Sequence, residues 1–143
     1  MSAAATNAVL NRLVSTLNTT LPAYLRDARP WTYPGREHAF DSLQDVGEQQ
    51  VEAAERLSAW ILENGGTPIR GDFPLDFTRF NDLSVDYLIR ESLRRQTLII
   101  AKVEACLDDL GLVPHALALV QEIIGEAKAH SDMLRDVLAP VAK

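Results

Sequence analysis

Apolar residues recur at three- and four-residue steps in four long segments of the chain, a spacing that places them on one face of an α-helix. The first segment covers residues 7–26 and the second covers residues 37–64. The third covers residues 85–110 and the fourth covers residues 114–138. The pattern therefore predicts an all-α protein built from four amphipathic helices.

Proline and glycine mark the interruptions of this pattern. Pro22 lies inside the first segment and predicts a kink or a helix end there, because proline lacks the backbone N–H that a helix interior needs. Gly65 and Gly66 follow the second segment, and Gly111 ends the third. Residues 67–84 have no helical period and include three phenylalanines, which predicts a long crossover connection. Short, long and short connections predict an antiparallel four-helix bundle in the order up-down-down-up.

Composition and charge limit the class of protein. The chain has 143 residues, of which 47% are hydrophobic and 24% charged, so residues 1–143 are expected to form one globular domain. The net charge of −6 argues against binding to nucleic-acid phosphates. No segment has the length of a membrane span, and the first residues lack a signal-peptide pattern. A single cysteine, Cys106, gives no disulfide framework, so we expect a cytoplasmic protein that does not act at a membrane.

Several short motifs resemble those of the ferritin-like superfamily, in particular bacterioferritin and the mini-ferritins known as Dps proteins. Leu10-Asn11-Arg12-Leu13 is similar to the start of the family's first helix, and Trp31 with Gly35 is similar to the Trp-x-x-x-Gly turn of mini-ferritins. Gly65-Gly66-Thr67-Pro68 is similar to the end of the second helix. Residues 122–134 are similar to the segment that carries Glu-x-x-His. The resemblance extends over most of the chain and implies a ferritin-like bundle that forms a homo-oligomer.

The resemblance also implies where metal ligands would stand, and other residue types occupy most of these positions. A di-iron centre in this fold needs carboxylates that bridge two irons and histidines that complete each site. The bacterioferritin-like ligands fall on Leu17, Gln50, Ala53, a position near Arg94, Ala127 and His130. The ligands of the mini-ferritin site, which two subunits share, fall on Pro30, a position near Phe40, Glu55 and Ala59. The resemblance therefore implies a protein without an intrasubunit di-iron centre.

The second predicted helix carries an acidic stripe, which we define as His38, Asp41, Asp45, Glu48, Glu52 and Glu55. Like charges at steps of three and four residues destabilise a helix by roughly 0.2–0.5 kcal/mol per pair. Such a stripe is most often a solvated helix face. Two alternatives are a metal or iron-entry surface and an arginine-mediated contact with another subunit, for which the chain offers Arg56, Arg90, Arg94 and Arg95.

Two residues one helical turn apart on the fourth predicted helix, Glu126 and His130, are further candidates for metal chemistry. A lone histidine on an apolar helix face is more often a hydrogen-bonded core residue than a ligand. Ser92 and Gln96 lie on the core side of the third helix and need hydrogen-bond partners if buried, or else belong to a polar centre. The complete metal-site hypothesis combines Glu48, Glu52 and Glu55 with Glu126 and His130.

These observations support two functional interpretations. The first is a ferritin-like protein without a catalytic iron centre or another cofactor, which is not an enzyme and acts as a structural or binding module through self-assembly. Its assembly would use helix faces and the aromatic loop of residues 73–80. The second is an iron-binding mini-ferritin with a displaced acidic site, a ferroxidase that oxidises Fe(II). A third class, nucleic-acid binding, would have to use a local patch of Arg90, Arg94 and Arg95.

Overall fold

Helices form the regular structure of the chain in a computed structural model that describes residues 2–27, 32, 34–80 and 83–138. No strand occurs among these residues, so the all-α prediction is confirmed. Within these ranges, five α-helices and one 3-10 helix follow one another: α1 (Ala3–Asn18), α2 (Leu21–Tyr24), α3 (Glu37–Glu63), the 3-10 helix (Leu75–Phe80), α4 (Val85–Asp109) and α5 (Pro114–Val137). None of the helices in these ranges combines the length and the hydropathy that a membrane span requires.

The first predicted helix is divided into α1 and α2. Thr20 lies in extended conformation before α2, and its hydroxyl oxygen accepts a hydrogen bond from the backbone N–H of Ala23 at 3.1 Å. Pro22 is in the first turn of α2, where its missing N–H leaves no hydrogen bond unmade. The backbone of Pro22 then approaches α3 at Gly47, where a Cβ atom would lie 2.3 Å from the Pro22 carbonyl oxygen. Glycine is therefore required for this helix contact.

Hydrogen bonds between helices define the directions of the four long helices. The Asn7 side chain near the start of α1 donates to the carbonyl oxygen of Asn64 after the end of α3 at 3.1 Å, so α1 and α3 run antiparallel. Arg36, which immediately precedes α3, binds both Asp86 at the start of α4 and the carbonyl oxygen of Val137 at the end of α5. Helices α3 and α4 are therefore parallel, and α5 runs against both. The directions of α1, α3, α4 and α5 are up, down, down and up.

The connection between α3 and α4 returns along α1. The Asn11 side chain donates to the carbonyl oxygen of Thr67 at 2.9 Å and accepts from the backbone N–H of Ile69 at 2.7 Å. Farther along, Phe77 and Phe80 of the 3-10 helix are buried against the rest of the protein. This path brings the chain from the end of α3 back to the level at which α4 begins.

The buried side chains form two apolar clusters with polar residues between them. One cluster lies towards the start of α1 and the end of α3, and includes Leu13 and Leu57. The other lies around α2, the start of α3 and the 3-10 helix, and includes Leu43 and Phe77. Between the clusters lie buried polar residues that we call the central polar layer: Thr20, Gln50, Ser92, Gln96 and His130.

Candidate functional site

A chain of hydrogen bonds crosses the protein through three residues of the central polar layer, Thr20, Gln50 and Gln96. The Thr20 hydroxyl donates to Gln50 Oε1 at 2.5 Å. Gln50 Nε2 donates to Gln96 Oε1 at 3.1 Å, and Gln96 Nε2 donates to the backbone carbonyl oxygen of Ala127 at 3.0 Å. Each amide thus accepts one bond and donates one. The chain joins the α1–α2 junction, α3, α4 and α5 without using a charged group.

This arrangement differs chemically from a metal centre. Iron sites of this type need carboxylate oxygens, whereas an amide nitrogen that carries its hydrogens offers no lone pair to a cation. Gln50 and Gln96 each direct such a nitrogen into the layer, towards another protein oxygen. Of the other ligand positions implied by the resemblance, Leu17 and Ala53 are buried apolar residues. The position near Arg94 is exposed, and that arginine binds Glu91.

His130 lies at the edge of the layer and is only 3% exposed. Burial lowers the pKa of its imidazole, although the negative charge of Glu126 acts in the opposite direction. A neutral imidazole carries one N–H, and His130 Nε2 lies 2.8 Å from Gln49 Oε1, an acceptor. Nε2 therefore carries the hydrogen, and Nδ1 is left buried without a partner among the described residues. These contacts match a hydrogen-bonded core histidine.

Beside His130, α3 and α5 enclose an acidic cleft of about 380 Å³ that is lined by Gln49, Glu52, Arg56 and Glu126. The Arg56 guanidinium donates to Glu126 Oε1 at 2.5 Å and to Glu122 Oε1 at 2.5 Å. A protein cation thus already pairs with one carboxylate of this cleft, Glu126, and with the neighbouring Glu122. Glu52 makes no ion pair within the described ranges.

The acidic stripe lies on the outer surface of α3, where all six of its side chains are exposed. Of the predicted metal residues, the structure brings Glu52 and Glu126 to one cleft and places His130 next to it through Gln49. Glu48 and Glu55 are on the exposed face and do not line that cleft. In the part of the chain that is described, no group of three or more His, Cys, Asp and Glu residues is placed to hold a metal ion. Metal binding by these residues stays a prediction.

The arginines proposed to compensate the stripe have other partners within the chain. Arg56 binds α5, and both Arg94 and Arg95 bind Glu91. Arg90 is exposed and makes no ion pair with a described residue. The stripe is therefore unpaired inside this part of the chain, as a solvated face or a surface for another molecule would be.

Sequence reasoning located only part of this site. Ser92 and Gln96 were placed on the core side of the third helix, and Gln50 entered only as a ligand position that the resemblance implies. Thr20 and Gln49 were not singled out. Thr20 precedes Pro22 by two residues, and this threonine-x-proline spacing at a helix start was the available signal for a capping residue. Trp31 and Pro30, which the resemblance assigned to a turn and to a ligand position, lie outside the described residues.

Comparison with known proteins adds no family evidence to this geometry. The chain matches no protein-family model, and no curated protein and no solved structure matches it. The ferritin-like resemblance consequently depends on the sequence motifs alone.

Proposed function

We propose that this chain is a ferritin-like four-helix bundle in which an amide network occupies the place of an iron centre. It serves as a structural or binding module that acts through self-assembly, and it is not a ferroxidase. The observation that carries this proposal is the hydrogen-bond chain from Thr20 through Gln50 and Gln96 to Ala127. The antiparallel and parallel directions of the four long helices are those expected for such a bundle.

The chemistry of the layer supports a structural role. Buried carboxylates repel one another unless a metal or an arginine neutralises them, whereas two amides satisfy each other and carry no charge. Gln50 and Gln96 use both the oxygen and the nitrogen of their amides in bonds to the protein. A hydrogen-bonded chain of buried amides such as this one fixes the register of the helices that meet there.

The surface supports association with a second copy of the chain. Leu75 on the crossover is 90% exposed, and Leu62 and Leu112 are also large exposed apolar residues. The acidic stripe of α3 and the exposed Arg90 of α4 are unpaired within the described chain and have opposite charges. Two copies can therefore bring complementary surfaces together, with α3 of one copy facing α4 of the other.

The first experiment is aerobic oxidation of Fe(II) by the purified protein, followed by the ferric absorbance. We expect the same rate as in a protein-free control, and a ferroxidase ferritin serves as the positive control. Acceleration above the protein-free rate would contradict the proposal.

Assembly is measured separately by size-exclusion chromatography with light scattering at low and high salt. A species larger than a monomer that dissociates as salt rises is the expected result, and a monomer at every concentration would exclude self-assembly.

The acidic cleft favours one alternative function, the iron-binding mini-ferritin with a displaced site. Glu52 and Glu126 line the same cleft, and iron would have to replace the Arg56 guanidinium there. Under this alternative, the double variant Glu52→Gln with Glu126→Gln loses Fe(II) binding and oxidation. Glu48→Gln is the matched control, because Glu48 lies on the same helix but outside the cleft. Equal iron binding by both variants would exclude the cleft.

A further inference from the structure

A second cavity, of about 310 Å³, lies between the α1–α2 junction, the crossover and α4. We call it the α4 cavity. Its lining reaches the central polar layer at Thr20 and Ser92, which are buried, and reaches the surface at Arg95 and Lys102. Its volume is in the range of small-molecule sites.

The walls of the α4 cavity are mainly apolar. Leu21, Phe77 and Ile99 are buried residues of the two core clusters that line it. Leu98 also lines it and is 57% exposed, so an apolar surface faces solvent at the mouth. An apolar ligand in the cavity would cover this leucine and gain the free energy of its burial.

Ser92 supplies an unused polar group inside the cavity. Its side chain is 2% exposed, and its Oγ atom has no hydrogen-bond partner among the described residues. Buried hydroxyls in proteins are normally hydrogen-bonded. The hydroxyls of Thr16 and Thr19 nearby already donate to backbone carbonyl oxygens at 2.8 Å and 2.7 Å. Ser92 is therefore the lining hydroxyl that is free to bind a polar atom of a ligand.

The charge of the lining is positive, in contrast to the net charge of −6 for the whole chain. Arg95 and Lys102 line the cavity, and no Asp or Glu is among its described lining residues. Arg95 uses its Nε atom to bind Glu91, while its guanidinium lies 5.2 Å from the centre of the Phe77 ring. Lys102 Nζ makes no ion pair within the described chain, so one ammonium group is available to an anion.

The separation of Ser92 and Lys102 along α4 favours an elongated ligand. Ser92 and Lys102 are both on α4, and the ten residues that separate them correspond to about 15 Å of helix axis. A compact ring would not contact both ends. A chain molecule with an acidic group at one end would place its charge near Lys102 and its apolar body along Phe77 and Leu98.

We propose that the α4 cavity binds a medium-chain carboxylic acid. The carboxylate lies against Lys102, the aliphatic chain packs on the apolar walls, and a polar atom at the far end bonds to the Ser92 hydroxyl. This site does not depend on self-assembly or on the absence of iron chemistry, so it stands or falls apart from the function proposed above.

The experiment is isothermal titration of the purified full chain with octanoate and with octanamide, its neutral analogue. Octanoate is expected to bind at least about fivefold more tightly, the effect of one partly exposed charge pair. Lys102→Gln is expected to remove this preference by weakening octanoate binding about fivefold while octanamide binding is unchanged. Lys128→Gln is the matched control, since Lys128 is an exposed lysine of α5 outside the cavity.

The inner end of the site is tested with 8-hydroxyoctanoate, which adds a hydroxyl at the end away from the carboxylate. This acid is expected to bind more tightly than octanoate, and Ser92→Ala should abolish the difference. Ser92→Ala should also unfold at the same or a higher urea concentration, because it removes an unpartnered buried hydroxyl. The proposal is overturned if octanoate shows no saturable binding, if octanamide binds equally well, or if Lys128→Gln weakens octanoate as much as Lys102→Gln.

Discussion

The bond between Gln50 and Gln96 offers a quantitative test of the central polar layer, because both amides are 1% exposed and depend on each other. Gln96→Leu removes the acceptor of Gln50 Nε2 and leaves that donor buried without a partner. Gln50→Leu leaves Gln96 Oε1 without its donor and the hydroxyl hydrogen of Thr20 without its acceptor. In the double variant neither amide is present, so neither is left unpartnered.

The hydrogen-bonding groups that each variant leaves unpaired determine how much free energy of unfolding it loses. A buried polar group that loses its hydrogen bond destabilises a protein by roughly 1–3 kcal/mol. Each single leucine variant should therefore lower the free energy of unfolding by about 2 kcal/mol. The double variant leaves only the Thr20 hydroxyl and one lone pair of the Ala127 carbonyl oxygen unsatisfied, and it buries two more apolar side chains. We expect its loss in free energy of unfolding to be about 2 kcal/mol smaller than the sum of the losses in the two single variants.

Urea unfolding followed by far-UV circular dichroism measures the four free energies of this cycle. Gln121→Leu is the control, because Gln121 is an exposed glutamine of α5 whose replacement should change the free energy by less than about 0.5 kcal/mol. If the losses in the two single variants add to the loss in the double variant within about 0.5 kcal/mol, the amides do not stabilise each other. The structural role of the layer would then be refuted.

Three further predictions concern residues outside this bond. Gly47→Ala should lower the free energy of unfolding by more than about 2 kcal/mol, because its Cβ atom would meet the carbonyl oxygen of Pro22 at 2.3 Å. Gly125→Ala, with no atom within 4 Å of the new Cβ, should raise it by about 0.5–1 kcal/mol, and urea unfolding that gives the reverse order would contradict both. Because burial lowers the folded-state pKa of His130, the unfolded chain takes up this proton at a higher pH than the folded chain does, beginning as the pH falls towards about 6.5. Stability is then lost by at most about 1.4 kcal/mol per pH unit, and His130→Gln should unfold with a shallower pH dependence. Burial also raises the pKa of the Cys106 thiol, so a thiol reagent should react with the folded protein more slowly than with free cysteine, and faster in urea.

The starts of three helices were predictable because local signals mark them. Helices α3, α4 and α5 begin at Glu37, Val85 and Pro114, as the apolar period predicts. Ser84 accepts a hydrogen bond from the backbone N–H of Tyr87, which fixes the start of α4. In each case a turn residue or a capping residue coincides with the start of the apolar stripe.

The first helix was predicted less well for a physical reason. Helix α1 begins at Ala3, four residues before the predicted start, because the Ser2 side chain caps it by accepting from the N–H of Ala5. Three alanines give high helix propensity but no amphipathic period, so the apolar pattern did not reveal this turn. The 3-10 helix was missed because its burial of Phe77 and Phe80 depends on contacts with distant parts of the chain.

In the candidate site too, the sequence predicts which side of a helix a residue occupies but not which residue of another helix it contacts. The helical period places Gln50 and Gln96 on core-facing positions, but their pairing depends on how α3 and α4 pack, which no local pattern states. Gln49 lies on the exposed side of α3 by its period, so its contact with His130 of α5 had no sequence signal.

Helix α3 buries a neutral polar side chain and exposes its charged neighbours, because burying a charge costs more free energy than burying a hydrogen-bonded amide. Gln50 points into the layer as a neutral amide, while Glu48 and Glu52, two positions away on either side, are exposed. A carboxylate at position 50 would be buried next to the neutral amide of Gln96, and an unpaired buried charge costs far more than a paired amide. Conversion of this layer to an iron centre would therefore require several carboxylates and the metal together, since any single step towards it destabilises the fold. The amide pair, by contrast, stays buried without any cation, because it carries no charge and its members bond to each other.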